Sequence, residues 1–167
     1  EVLTGDIIIG SASAGGRTVS GLRTGSGTVS VSTDGDLTVD EAVEASGAGN
    51  DVTLTTTGSG NIAVNALIQS DDAVILDSAG AITDGDGLNN VDAVSLAATA
   101  LNGIELDTEV GTLSAINSGT GAVDISNGGG ALTTVTTATT NNGTVTLANT
   151  GGALTVGTAS AQGAGND

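Results

Sequence analysis

Residues 50–64 read NDVTLTTTGSGNIAV. Val52 and Leu54 flank a threonine, Ile62 and Val64 flank an alanine, and a Thr-Gly-Ser-Gly-Asn cluster at 57–61 separates the two triplets. Apolar residues at every second position mark a strand with one buried face. Gly, Asn and Ser close tight turns because they tolerate positive φ or bond to their own backbone. The triplet returns along the whole chain, as VSV at 29–31, LTV at 37–39, VIL at 74–76, VSL at 94–96, IEL at 104–106, VDI at 123–125, VTL at 145–147 and LTV at 154–156. Turn clusters stand between them, among them TDGD at 33–36, GAGND at 47–51, TDGDG at 83–87 and NTGG at 149–152. AVEA at 42–45 and LAATA at 96–100 contain helix formers but have no caps and no amphipathic stretch, so no helix is expected.

Many triplets begin about nine to twelve residues apart, and alternate ones about 20 to 22 apart, as Val52, Val74 and Val94 do. That is the rung length of a β-solenoid. The expected fold is all-β, a parallel β-helix with coils of about 20 residues in which Val, Ile, Leu and Ala form ladders down a narrow interior. About eight coils stacked at about 4.8 Å would give a rod of roughly 40 Å.

A longer repeat lies over the short one. Residues 1–51 return in weakened form as 117–167: Thr4-Gly5 matches Thr120-Gly121, Ile9 matches Ile125, Thr18-Val19 matches Thr134-Val135, and the GTV and GAGND of 27–29 and 47–51 return at 143–145 and 163–167, all at an offset of 116. Only DLTV at 36–39 slips by one against ALTV at 153–156. The chain therefore reads as one continuous solenoid segment, 1–167, and as a window on a longer tandem array. An array of immunoglobulin-like β-sandwiches of about 100 residues would give a similar offset. Such domains usually carry a core aromatic and some proline, and this chain has neither.

Composition excludes most chemistry. There is no His, Cys, Lys or Tyr, so the usual general bases, activated nucleophiles and soft-metal ligands are missing, and no aromatic platform for a sugar can be built. No enzyme is expected. Arg17 and Arg23 are the only cations against 19 carboxylates, for a formal charge of −17. Nucleic acid and anionic membrane surfaces would be repelled, and no apolar run is long enough to cross a bilayer. The partners left are Ca²⁺, a cationic molecule, or neighbouring repeats of the same or identical chains.

Phrases such as NDVTLTTTGSGNIAVNALI at 50–68, AVILDSAGAITDGDG at 73–87 and GTVTLANTGGALTVGTA at 143–159 resemble the β-strand repeats of very large bacterial surface proteins of the filamentous-haemagglutinin and adhesin-like type. The resemblance implies a right-handed parallel β-helix in a secreted or cell-surface fibre. It further implies that the repeats act as a stalk, with adhesive or anchoring modules elsewhere.

Three groups of residues are candidates for binding. GAGND at 47–51 resembles half of the calcium-binding nonapeptide of repeats-in-toxin proteins, with Asp51 as the carboxylate ligand, but Ser46 replaces the first glycine of that motif. Asp34 with Asp36, and Asp84 with Asp86, are further candidates for Ca²⁺. The loop DGDGLNNVD at 84–92 begins like an EF-hand, but Leu88 fills its fifth position and no Glu closes its twelfth. No cofactor is required by this reading, and Ca²⁺ is the one ion it admits. The bland alternative is that Gly, Asn and Asp simply make good corners. Glu105, Asp107 and Glu109 alternate as on a solvated strand face that keeps a fibre soluble. Finally, TLTTT at 53–57 and TTVTTATT at 133–140 could set threonines in ranks as in an ice-binding solenoid, although the coils at 74–76, 94–96 and 104–106 break the pattern.

Overall fold

The computed structural model describes residues 4–15, 17–129 and 133–163. Among these the protein is all-β without a helix, and the chain winds as a solenoid in which strands one turn apart lie parallel and in register. The strands build three faces. Face A holds Ile7–Ile9, Leu37–Val39, Ile62–Val64, Ile82–Asp84, residues 104–108, Val123–Asn127 and Val145–Asn149. Face B holds Leu22–Thr24, Val43–Ala45 and residues 68–70, 91–93 and 108–110. Face C begins with Val29–Thr33 and Val52–Thr56 and continues through 73–77, 95–100, 112–117 and 134–140 to Leu154–Val156 and Ala159–Ala161.

Strict alternation places one aliphatic ladder inside each face. On face A, Ile7, Leu37, Ile62, Ile82, Ile104, Val123 and Val145 are successive register partners. On face C the line runs Val29, Val52, Val74, Leu96, Leu113, Val135, Val156. The middle members of both lines are buried. Each buried Leu, Ile or Val contributes about 1.5–3 kcal/mol by leaving water.

The second inward position of face C tapers from Leu54 and Leu76 to Ala98, Ala115 and Ala138. Turn length varies from coil to coil: Leu37 to Ile62 spans 25 residues, Ile104 to Val123 only 19 and Val123 to Val145 22. Amide and hydroxyl groups are buried as well. Asn127 Nδ2 donates to Thr133 Oγ1 at 2.6 Å and to Asn149 Oδ1 at 3.0 Å, and Asn127 Oδ1 accepts from Thr108 Oγ1 at 2.8 Å. Such a network is tolerable in the interior because its members satisfy one another.

The parallel ladders exclude the immunoglobulin-like sandwich. Details of the sequence reading change. Seven register positions from Ile7 to Val145 make six turns, about 29 Å of rise, and not eight coils. The first turn is long because residues between Ile9 and Leu22 leave the stack as an antiparallel hairpin, Ser11–Ala14 against Arg17–Ser20, exposed throughout. The partner of Val74 is Leu96, and Val94 points out of the B–C corner at 60% exposure. The preceding coil turns that corner with two unpaired residues, Asp71 and Asp72, where this one uses Val94 alone, so the inward frame moves.

Among the described residues, matched positions of the long repeat take different places in the coils. Ile9 and Ile125 both lie on face A, but Thr18-Val19 sits on the exposed hairpin while Thr134-Val135 belongs to face C with Val135 buried. Val29 is on face C and its match Val145 on face A. Of the second GAGND, only Gly163 is among the described residues.

Candidate functional site

Several carboxylates stand at the corners, where they accept backbone N–H groups from the adjacent coil. The residue just before each face A strand gives the clearest series. Asp6 Oδ1 accepts from the N–H of Asp36 at 2.9 Å, Asp36 Oδ1 from the N–H of Asn61 at 2.7 Å, and Asn61 Oδ1 from the N–H of Ala81 at 2.8 Å. In the reverse sense the N–H groups of Ile7, Leu37 and Ile62 donate to the carbonyls of Asp36, Asn61 and Ala81, at 2.8, 2.8 and 2.9 Å. Each coil is thus tied to the next in both directions at the point where the chain would otherwise leave a turn N–H unpaired.

Asp34 and Asp51 behave alike. Asp34 Oδ1 accepts from Gly5 N at 2.6 Å, and Asp51 Oδ1 from Ala73 N at 3.2 Å. In the GAGND loop, Gly47 and Gly49 have φ of 99° and 77° and turn their N–H groups to Asp71 Oδ2 and Asp72 Oδ2, at 2.6 and 2.9 Å. The calcium reading of this loop needs carbonyl oxygens converging on a cation. Amide hydrogens converging on carboxylates have the opposite polarity, which suits an anion. Asp84 Oδ1 accepts from its own loop, from Asp86 N and Gly87 N at 2.9 Å each, and Asp86 Oδ1 accepts from Leu88 N.

Asp34 and Asp36 therefore face different strands of the stack, and Asp84 and Asp86 spend an oxygen each on shaping one turn. Among the described residues no three carboxylates are grouped so as to hold a metal ion. Face A does carry a shallow acidic groove, with Asp84, Glu105, Asp107 and Asp124 along it. Asp124 enters it as the register partner of Glu105, one coil on. Sequence separation hid that neighbour. Arg23 Nη1 pairs with Glu44 across one coil of face B, and Arg17 lies on the exposed hairpin.

A second, buried line follows the C–A corner. Thr56 Oγ1 donates to the carbonyl of Gly60 at 2.6 Å, Ser78 Oγ to that of Ala81 at 3.0 Å, and Thr140 Oγ1 to that of Gly121 at 2.7 Å. Asn117 Nδ2 donates to the carbonyls of Thr120 and Gly121, at 2.9 and 2.8 Å. These side chains add a buried donor to the carbonyls of the turn.

The role of the corner series is open to measurement. Asp36→Asn keeps the acceptor that Asn61 already supplies one coil later and should change stability by no more than about 0.5 kcal/mol. Asp36→Ala removes the partner of the Asn61 N–H and should cost about 1–2 kcal/mol, read as the difference in urea midpoint between the two variants.

No protein family, no curated protein and no solved structure matches this chain. No helix among the described residues is long and apolar enough to cross a membrane.

Proposed function

We propose that the chain is a non-catalytic, stiff, acidic spacer, a segment of a secreted or cell-surface fibre of the adhesin type whose partners are neighbouring coils of its own or identical chains. The observation that carries this reading is the pair of aliphatic ladders that run unbroken from the first coil to the last. In a stack of this kind each coil is the template for the next, and local opening must break two interfaces at once. The carboxylates fit the same role. Those at the corners fasten coils, and the outward ones suit a long body that must stay soluble.

The sequence resemblance to bacterial surface repeats, and the repulsion that a charge of −17 sets up toward nucleic acid and anionic lipid, point the same way.

Immunogold labelling of intact source cells tests the fibre: label on filaments outside the envelope is expected, and label confined to the cytoplasm would overturn it. A melting curve tests the rival reading, a calcium-binding module built on Asp34, Asp36, Asp51, Asp84 or Asp86. A spacer melts at the same temperature in EDTA and in millimolar Ca²⁺. A specific site with dissociation constant 100-fold below the calcium concentration would add about 2.7 kcal/mol.

A further inference from the structure

The three faces differ in charge. Outward positions on face B carry Arg23, Glu44, Asp92 and Glu109, and those on face A carry Glu105, Asp107 and Asp124. Face C is different. Its first outward rank is Ser30, Thr53, Ile75, Ala97, Ser114 and Thr137, all register partners and all uncharged. Its second rank, two residues further along each strand from Ser32 to Ser160, contains Asp77 as its only carboxylate. Even that charge is engaged, because Asp77 Oδ1 accepts from Thr99 Oγ1 at 2.6 Å. Ile75 and Ile116 stand outward on the same face at 36% and 37% exposure.

We propose that face C is a self-pairing surface, on which a second copy of this chain lies side by side. Two bodies of charge −17 repel through any pair of faces that sets carboxylates opposite one another. Face C lets them meet with only one carboxylate, Asp77, per copy. The pitch also fits, since both copies present hydroxyl and methyl ranks every 4.8 Å or so, and the ranks of one can seat between those of the other with the sheets about 10 Å apart. Two ranks along about 29 Å of rod amount to roughly 400 Å² a side, about half of what a stable interface buries. One segment therefore pairs weakly, and an array multiplies the contact. The pairing rests on the fibre reading for its biological use.

An ice surface is the competing occupant of a flat, threonine-bearing face. Thr53 with Thr55 and Thr137 with Thr139 do lie on face C, but the coil between Ile75 and Asp77 breaks both ranks, and a regular lattice would be mismatched there.

Sedimentation equilibrium of the chain, from about 20 µM to about 1 mM in about 0.5 M salt to screen net charge, tests the proposal. The wild-type mass should climb from 15.7 kDa toward twice that value near the top of the range. Asp77→Thr should move the curve several-fold to lower concentration. Thr53→Glu with Thr137→Glu should hold the protein monomeric, while Thr38→Glu with Thr146→Glu on face A should leave pairing unchanged. A monomer at every concentration for both wild type and Asp77→Thr overturns self-pairing, as does loss of pairing through the face A changes alone. Thermal hysteresis from a monomeric protein, abolished by Thr137→Glu, would assign the face to ice and overturn it as well. These failures would leave the spacer standing, whereas cytoplasmic immunogold label removes the fibre without touching the sedimentation result.

Discussion

Leu54→Asp should leave no cooperative unfolding transition at 25 °C. Leu54 is fully buried on face C, between its register partners Val31 in the coil before and Leu76 in the coil after. Both register partners are aliphatic, and the two arginines are exposed, so a carboxylate there would be buried with no cation to pair it. The molecule must either bury an unpaired charge or open two coils to water, and either course costs more than about 4 kcal/mol. A small protein has only about 5–15 kcal/mol in hand. In a stack, moreover, the damage divides the rod, because coils on either side of the break touch each other only through the broken one. Ile75→Asp is the control. It lies one coil away and one residue out of phase, on the outward rank beside Asp77, and should shift stability by less than about 0.5 kcal/mol. Circular dichroism during urea unfolding of the two variants gives the comparison.

Gly60→Val should be nearly as damaging, for a reason that has nothing to do with burial of charge. Gly60 sits at the C–A corner in a column with Gly35 below and Gly80 above. A Cβ on Gly60 would lie 2.1 Å from the carbonyl oxygen of Gly35 and 2.7 Å from its carbon, and one on Gly80 would lie 2.9 Å from the oxygen of Gly60. Those neighbours are backbone, held by the ladders, and cannot swing aside. A side chain here must spread the coils and break the bonds of the Asp36–Asn61 corner, at about 3 kcal/mol or more. Gly25→Ala has open space and an ordinary φ and should be silent or slightly stabilising. Melting temperatures of the two variants, taken side by side, separate the close approach from the general effect of losing a glycine.

The fold was legible because its two signals are local. Alternation at 52–54 or 62–64 needs only the buried side of one strand, and TGSGN at 57–61 needs only one turn. Which face a triplet occupies is not local. All three faces ask for the same small aliphatics two residues apart, so VSV at 29–31 and VTL at 145–147 read alike while the winding places them on faces C and A. Corner lengths decide the matter, and a corner can be one residue, as at Val94, or a whole hairpin, as at 11–20. The 51-residue repeat is for this reason a likeness of composition and token order that the coil count does not respect.

The carboxylates were legible as corner residues and not as to what they do there. The partners of Asp6, Asp34, Asp36 and Asp51 lie about 20 to 30 residues away, and nothing near Asp36 in the chain announces Asn61. A weak signal was present: Asp6, Asp36 and Asn61 each stand immediately before a face A triplet, in DIII, DLTV and NIAV. An acceptor side chain at a fixed place before a recurrent strand is what a coil-to-coil tie requires. A calcium loop would instead set its carboxylates close together along one segment.

Distances along the outward rank of face C test the winding itself. The chain has no cysteine, so spin labels can be placed in pairs at will, with Thr137→Cys kept constant and Ser114→Cys, Ala97→Cys, Ile75→Cys, Thr53→Cys or Ser30→Cys as the second site. These residues are one to five coils from Thr137. Pulsed dipolar spectroscopy should return separations that lengthen by about 4.8 Å for each coil, to roughly 24 Å between residues 30 and 137. Separations that fail to rise in that order, or two distant coils measured closer together than two adjacent ones, would contradict the stacked winding on which every other statement depends.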